Sequence, residues 1–341
     1  MSASSSSTPP PPHDNSAAAQ HSSTPPLQHS TSSVRILVLR GGAIGDFIVT
    51  LPALQKLRAR WPQAHIELVG YPHVATLARA AGLVDRVESL DKAEIARFFA
   101  ARPRFTPAQR DYLRSFHFVV TYLHDADGLV RENLTAAGAR QVLYGSPLIT
   151  AGHAVESLLK PLETLALYAE KTEHPRLALQ EEQLAWGRDW LAARGLGGKK
   201  ILAVHPGSGS PRKNWPVENF VAVVRQLPSG ITPLLVLGEA DAELLPTLAR
   251  ELPEVTRLAD CALLEVASVL APCAAYLGND SGITHLAAAL GVPVVALFGP
   301  SNPEHWAPRG PRVFLLQAPA GQTAELNISE VAAAVFQALE T

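Results

Sequence analysis

The chain has 341 residues, 47% of them hydrophobic, with 29 Lys and Arg against 31 Asp and Glu and a formal charge of −2. That length and apolar content suffice for about two domains with real cores, and the near balance of charge speaks against nucleic-acid binding through bulk electrostatics. Two cysteines, Cys261 and Cys273, without CxxC spacing or neighbouring His ligands, argue against a disulfide framework or a zinc site and fit a reducing cytoplasm.

Residues 1–33 are rich in Ser and Pro and poor in apolar side chains. Such a segment cannot bury enough surface to offset its ordering entropy, so a disordered tail is expected. It also lacks the basic and apolar regions of a signal peptide. The longest apolar run, Ile283 to Phe298, is interrupted by Gly291 and Pro293 and reads as helix plus strand rather than a membrane span. A soluble, cytoplasmic protein is the expectation.

Order should begin at Val34, where Val34 to Leu39 has the β-branched and leucine content of a strand buried on both faces. The turn Arg40 to Asp46 follows, then a helix from Phe47 through Leu57 with Pro52 in its early turns. Strands are predicted at 65–69, 86–90, 116–123 and 141–144, with a helix over 74–81, which implies a mostly parallel sheet with helices on both faces. Between them, Asp91 to Ser115 interleaves six cations, Arg97, Arg102 and Arg104 among them, with Phe98, Phe99, Phe105 and Tyr112. That composition suits a surface that docks an anionic, amphipathic partner, but from sequence alone it reads first as a solvated helical excursion whose aromatics face the core.

A helix carrying Leu184, Trp186, Trp190 and Leu191 then ends at Gly195 to Gly198, a stop and a plausible hinge. A second alternating series predicts strands at 200–204, 232–237, 255–258, 274–277, 292–298 and 312–316. Two such series in succession argue for two Rossmann-like α/β domains. The last segment, Asn327 to Leu339, is an amphipathic helix with Asn327 and Glu330 placed as a capping box.

Four strand-to-helix turns could carry chemistry. The first lacks the G-x-G-x-x-G order of a dinucleotide fingerprint and the Lys-Ser/Thr of a P-loop, so neither nicotinamide chemistry nor ATP hydrolysis is favoured. It does place Asp46 at a helix start, where the helix dipole favours the ionised form, as a proton acceptor or as a plain N-cap. His205 to Pro216 offers small residues, Ser208 and Gly209, that let backbone amides approach phosphate oxygens, with Arg212 or Lys213 to neutralise them. Gly238 to Glu243 is loaded with acids, which could grip ribose hydroxyls or cap a helix. In Gly278 to His285 a strand runs into a helix start near Ser281, so Ser281, Gly282 and Thr284 can approach an anion. Asp125-Ala126-Asp127 follows a strand and has the DxD form of a metal-holding triplet.

Three of these stretches together, Arg40 to Pro52, His205-Pro206-Gly207 through Lys213-Asn214-Trp215-Pro216, and Gly278-Asn279-Asp280-Ser281-Gly282 through His285-Leu286-Ala287-Ala288, resemble glycosyltransferase family 9, the ADP-heptose:lipopolysaccharide heptosyltransferases. The match runs in order from about Val34 to the C-terminus. The resemblance implies a GT-B fold, two Rossmann-like domains facing a central cleft. Residues 34–178 would bind the acceptor, 179–198 would be a linker helix and hinge, 199–325 would bind the nucleotide sugar, and 326–341 would be a final helix able to cross back. It implies inverting transfer with no metal and no cofactor, so that the DxD triplet Asp125-Ala126-Asp127, lying in the acceptor half, reads as a polar loop. The co-substrate would be a nucleotide-diphosphate sugar, ADP-heptose first among them, and the acceptor a lipopolysaccharide-type or other surface glycan. Asp46 matches the general base. Ser208, Gly209 and Lys213 match the diphosphate loop, and Asp280, Ser281, Gly282 and His285 the residues around donor sugar and phosphates. Glu243 is carried over for the ribose.

Arg97, Arg102 and Arg104 are the expected acceptor or membrane docking residues, at the inner face of the cytoplasmic membrane, in a chain expected to be monomeric. The alternative is a protein of the same fold that binds nucleotide sugars without turning them over. Retention of Asp46 and Lys213 argues against it.

Overall fold

The computed structural model describes residues 33–340, so the tail expected at 1–33 lies, Ser33 apart, outside the described residues. The first half is a five-stranded parallel sheet, β1 (Arg35–Leu39), β2 (His65–Gly70), β3 (Arg86–Ser89), β4 (Phe118–Thr121) and β5 (Val142–Tyr144), in the order β3-β2-β1-β4-β5. Its helices are α1 (Ile44–Ile48), α2 (Leu51–Arg60), α3 (Pro72–Ala80), α4 (Ala93–Ala96), α5 (Pro107–Arg114), α6 (Leu129–Ala136) and α7 (Ala154–Leu159).

In β1, Ile36 and Val38 face one apolar cluster while Leu37 and Leu39 face another. Both sides are therefore covered, which is why its sequence is an unbroken apolar run. The single helix expected from Phe47 is in fact two. Pro52 cannot donate to the carbonyl of residue 48, and its ring crowds that carbonyl, so α1 stops at Ile48 and α2 restarts with Pro52 in its first turn.

After α8 (Glu181–Ala192) comes a six-stranded parallel sheet, β6 (Lys200–His205), β7 (Ile231–Val236), β8 (Thr256–Leu258), β9 (Ala275–Asn279), β10 (Val294–Phe298) and β11 (Val313–Gln317), ordered β11-β10-β9-β6-β7-β8. The helices here are α9 (Val217–Arg225), α10 (Leu245–Glu251), α11 (Leu263–Leu270), α12 (Gly282–Ala289), α13 (Pro303–Trp306) and α14 (Ile328–Glu340). The helix expected as a linker, α8, is docked on α11. The final helix does not cross back. Val331, Val335 and Leu339 bury themselves in the core of the second sheet, against α9 and β9 to β11.

One apolar cluster runs from Ile36 and Leu54 in the first half to Tyr276, Leu286 and Phe298 in the second. In both sheets the connectivity changes direction, between β1 and β4 and between β6 and β9. The loops leaving the carboxyl ends of strands diverge at such switch points and open a crevice. Asp46 follows β1, Lys213 follows β6 and Asp280 follows β9, each beside one of these openings.

Candidate active site

On the first-half side, the site is organised by Arg40. Its guanidinium is buried, donating from Nε to Thr50 Oγ1 at 2.9 Å and from Nη2 to the Asp46 carbonyl at 2.6 Å. Burial pulls the Arg40 pKa down, and the charge of Asp46 opposes that pull. The Asp46 carboxylate lies 3.6 Å from Arg40 Nη2 with Oδ1 and accepts the Ala43 N–H with Oδ2 at 2.9 Å. It thus caps α1 and still keeps its side chain 31% exposed, open to a ligand.

On the second-half side, Asn279 is fully buried and joins three segments. Its Nδ2 donates to the Pro206 carbonyl at 2.7 Å and its Oδ1 accepts the Trp215 N–H at 3.0 Å. The loop between β6 and α9 is thereby pinned to the end of β9. Ser208 is buried inside that loop, its Oγ 2.6 Å from Asn214 Oδ1 and 2.8 Å from the Ser210 carbonyl, so it builds the loop rather than facing the cleft. Lys213, at the loop's far side, donates to Asp280 Oδ2 at 2.6 Å.

Ser281 is the N-cap of α12, its Oγ accepting the Thr284 N–H at 3.3 Å. The Thr284 amide is therefore spent on the cap, and the anion-facing amides expected at this helix start reduce to those of Gly282 and Ile283. Gly282 is a packing requirement as well, since a methyl group there would lie 2.5 Å from Ile44 Cβ and 3.0 Å from the Gly45 nitrogen. The N-terminal turns of α1 and α12 meet at this glycine. His285, one turn further on, sits against Gly45, where an added Cβ would be 3.4 Å from its Cδ2. Burial holds the His285 pKa below the usual imidazole value, with Asp280 and Asp46 opposing and Lys213 reinforcing the shift.

Together these residues enclose a cavity of ≈ 410 Å³. Asp46, Gly209, Lys213, Asp280, Ser281, Gly282 and His285 all line it, and Ser208 stands just behind. Glu243 does not line it. It is exposed, and the acid that its turn uses is Asp241, buried, with Oδ2 accepting the Gly238 N–H at 2.7 Å. Arg97, Arg102 and Arg104 are exposed and do not line the cavity either.

Ser301, Asn302, His305 and Trp306, from the turn after β10, form a wall that the sequence reading did not include. Its signal was present: a strand running into Gly299-Pro300-Ser301-Asn302-Pro303, with an Asn before Pro as a helix start. Of the DxD triplet, Asp125 is taken up by the Val130 and Arg131 amides and by Arg131 Nε at 2.8 to 3.1 Å. Burial, the largest single effect, pushes its pKa up, but those contacts together outweigh it and hold the carboxyl below its usual range.

Residues 146–334 match the model of glycosyltransferase family 9 (heptosyltransferase). Lipopolysaccharide heptosyltransferase 2 of Salmonella typhimurium is 36% identical over 118 residues, 32% of this chain and 34% of that protein. Lipopolysaccharide heptosyltransferase 1 of Pseudomonas aeruginosa is 28% identical over 306 residues, 79% of this chain and 80% of that one. The chain spans less than half the length of several of the curated relatives it matches. Among solved structures, the E. coli heptosyltransferase WaaC with ADP superposes with a TM-score of 0.68 at 20% identity, covering 90% of this chain and 100% of that one. Likeness at that level concerns the fold, two Rossmann-like halves facing a cleft in the GT-B arrangement.

Proposed function

The chain belongs to glycosyltransferase family 9, and from that premise we propose that it transfers a heptose from a nucleotide-diphosphate donor to a lipopolysaccharide-type acceptor, with inversion and without a metal. The first half takes the acceptor and the second half the donor, ADP-heptose first among the donors. One observation carries the reading: a carboxylate from the first half, Asp46, shares a single cavity with Lys213, Asp280 and the start of α12 from the second.

Inversion requires a base on one face of the anomeric carbon and the departing diphosphate on the other, and two halves facing one cleft meet that need. Asp46 removes the proton from an acceptor hydroxyl, and the oxygen attacks the anomeric carbon. The bond from that carbon to the diphosphate oxygen breaks, its electron pair leaves with the nucleoside diphosphate, and the proton stays on Asp46. Lys213 and the Gly282 and Ile283 amides stabilise the charge that grows on the leaving group, the role a metal fills elsewhere. The engagement of Asp125 by its own helix supports the metal-free reading, since the DxD triplet has a structural use.

The work would be done at the inner face of the cytoplasmic membrane. Among the described residues no helix is long and apolar enough to cross a membrane.

The test has two stages. A thermal-shift screen of ADP-, GDP-, UDP- and dTDP-sugars should single out one donor, and no shift with any of them would overturn the function. With that donor, Asp46→Asn keeps an acceptor for the Ala43 amide but loses the base. Turnover should fall by about 10²- to 10⁴-fold with donor affinity held within about twofold. Equal losses in both would contradict the assigned role.

A further inference from the structure

The turn after β10 does two things at once. Asn302 caps α13, its Oδ1 accepting the Glu304 N–H at 2.9 Å, and α13 brings His305 and Trp306 to the cavity wall. The same turn is fastened to the first half. His305 Nδ1 lies 2.7 Å from the Gly152 carbonyl, His153 Nε2 lies 2.8 Å from the Ala307 carbonyl, and Arg309 pairs with Glu156 at 2.8 Å.

A carbonyl oxygen only accepts, so His305 Nδ1 must carry the proton. In the neutral ring the remaining nitrogen, Nε2, is then an acceptor. That chemistry suits a sugar hydroxyl, which has a proton to give, and not an ionised phosphate oxygen, which has none. Strand order supplies the matching location. β9 lies between β10 and β6, so the Asp280 loop has the Lys213 loop on one side and the His305 turn on the other. A ligand with its diphosphate at Lys213 and α12 therefore reaches His305 only with what lies beyond the phosphates. Trp306 adds an apolar ring at that end of the cavity.

We propose that His305 determines sugar specificity, accepting a hydrogen bond from a donor-sugar hydroxyl through Nε2 while the Gly152 carbonyl of the opposite half holds its ring in place. This rests on the reading of the cleft as a sugar-nucleotide site. Its consequence is that the half assigned to the acceptor also takes part in choosing the donor, because the hydroxyl-reading ring is oriented only when the two halves are docked.

The experiment compares two probes by calorimetry, ADP and ADP-heptose, or the nucleoside diphosphate and its sugar conjugate that the screen selects. The wild-type protein must bind the conjugate and the bare diphosphate with different affinities, and equal affinities overturn the proposal; if it binds neither, the assignment of the cleft has failed, and that failure is separate from this one. Given that difference, His305→Ala should weaken the conjugate about three- to tenfold and leave the bare diphosphate within about twofold, the size of one neutral hydrogen bond. His305→Gln, which retains an amide donor and acceptor, should restore part of the difference. His305→Leu, which has no acceptor, supplies the ratio of affinities if the alanine variant does not fold. An unchanged ratio of the two affinities in whichever of the two apolar variants folds overturns the proposal.

Discussion

Lys213 Nζ donates to Asp280 Oδ2 at 2.6 Å, joining the loop after β6 to the loop after β9 at the wall of the cavity. The carboxylate is nearly buried while the lysine remains about one-third exposed, so the ammonium is the mobile partner. On the proposed reading, an arriving diphosphate would compete for Lys213 with a greater charge than Asp280 offers, leaving Asp280 to accept from a sugar hydroxyl. Lys213→Ala should therefore weaken bare nucleoside diphosphate at least about tenfold and lower turnover by about 10²- to 10³-fold, because the charge it meets is largest in the transition state. Asp280→Asn should lower turnover without weakening the bare diphosphate. Calorimetry with the two variants decides it: an equal loss of diphosphate affinity in both would show that the pair acts as a unit.

Gly282 sets how closely the two halves approach beside Asp46. A methyl group added there would stand 2.5 Å from Ile44 Cβ, well inside contact distance, and Ile44 opens the short helix that carries Asp46. Gly282→Ala should destabilise the fold by about 1–3 kcal/mol, the usual cost of overpacking. It should also reduce kcat more than donor affinity, since α1 must shift relative to the donor loops. A variant with wild-type melting temperature and wild-type kcat would mean that the helix contact is not rigid.

The fold was legible because the central strands of these parallel sheets are covered on both faces and run into cleft-side turns, whereas the edge strands Arg86–Ser89 and Val313–Gln317 are only partly buried. Arg35–Leu39, Lys200–His205 and Val294–Phe298 are apolar runs with no alternation to blur them, each followed by Gly, Pro or a charged residue. The lining of the cavity was legible where one loop carried several chemical groups, as with Lys213 and the Asp280 turn. It was not legible where a role depends on a distant partner. Nothing near Tyr112 announces that its hydroxyl donates to Glu67 at 2.8 Å, and nothing near His305 announces the Gly152 carbonyl. Glu243 and Asp241 are two residues apart on one acidic turn, and only packing decides that Asp241 is the buried one.

The cationic, aromatic excursion at 91–115 divides into two parts. Phe98 stacks on Phe105 with centroids 5.4 Å apart over the first-half core, and Tyr112 is bonded to Glu67, so these aromatics serve the fold. Phe99 is left exposed beside Arg97, and Arg102 and Arg104 are exposed as well. If this face meets a membrane, replacing Arg97, Arg102 and Arg104 with Gln should weaken binding to vesicles of anionic lipid by at least about tenfold, and more so at low salt. Vesicle sedimentation with the variant tests this, and binding equal to wild type would sink the docking role.

His153 gives the chain a pH dependence of stability with a defined sign. Its Nε2 faces the Ala307 carbonyl at 2.8 Å and so carries the ring proton, while Nδ1 accepts the Val155 N–H at 3.2 Å and caps α7. The cap requires an unprotonated Nδ1. Burial is the main force that pushes the His153 pKa down from 6.5 to about 4, with Arg309 and His285 adding to it and the Ala307 carbonyl and Glu156 opposing.

Between those two values an unfolded chain takes up a proton that the folded chain refuses. The stability associated with neutral His153 is therefore complete above pH 6.5 and is lost as pH falls from 6.5 towards 4. At pH 5 the loss should be about 2 kcal/mol. His205 and His285 are also depressed by burial and contribute to the same fall, so the comparison must be differential. His153→Asn can still cap α7 but does not titrate. Denaturant unfolding at pH 7.5 and pH 5 should show a smaller drop for the variant than for wild type, by about that 2 kcal/mol. Equal drops would mean that His153 is protonated in the folded chain at pH 5 and that its cap on Val155 is not the force that holds this junction.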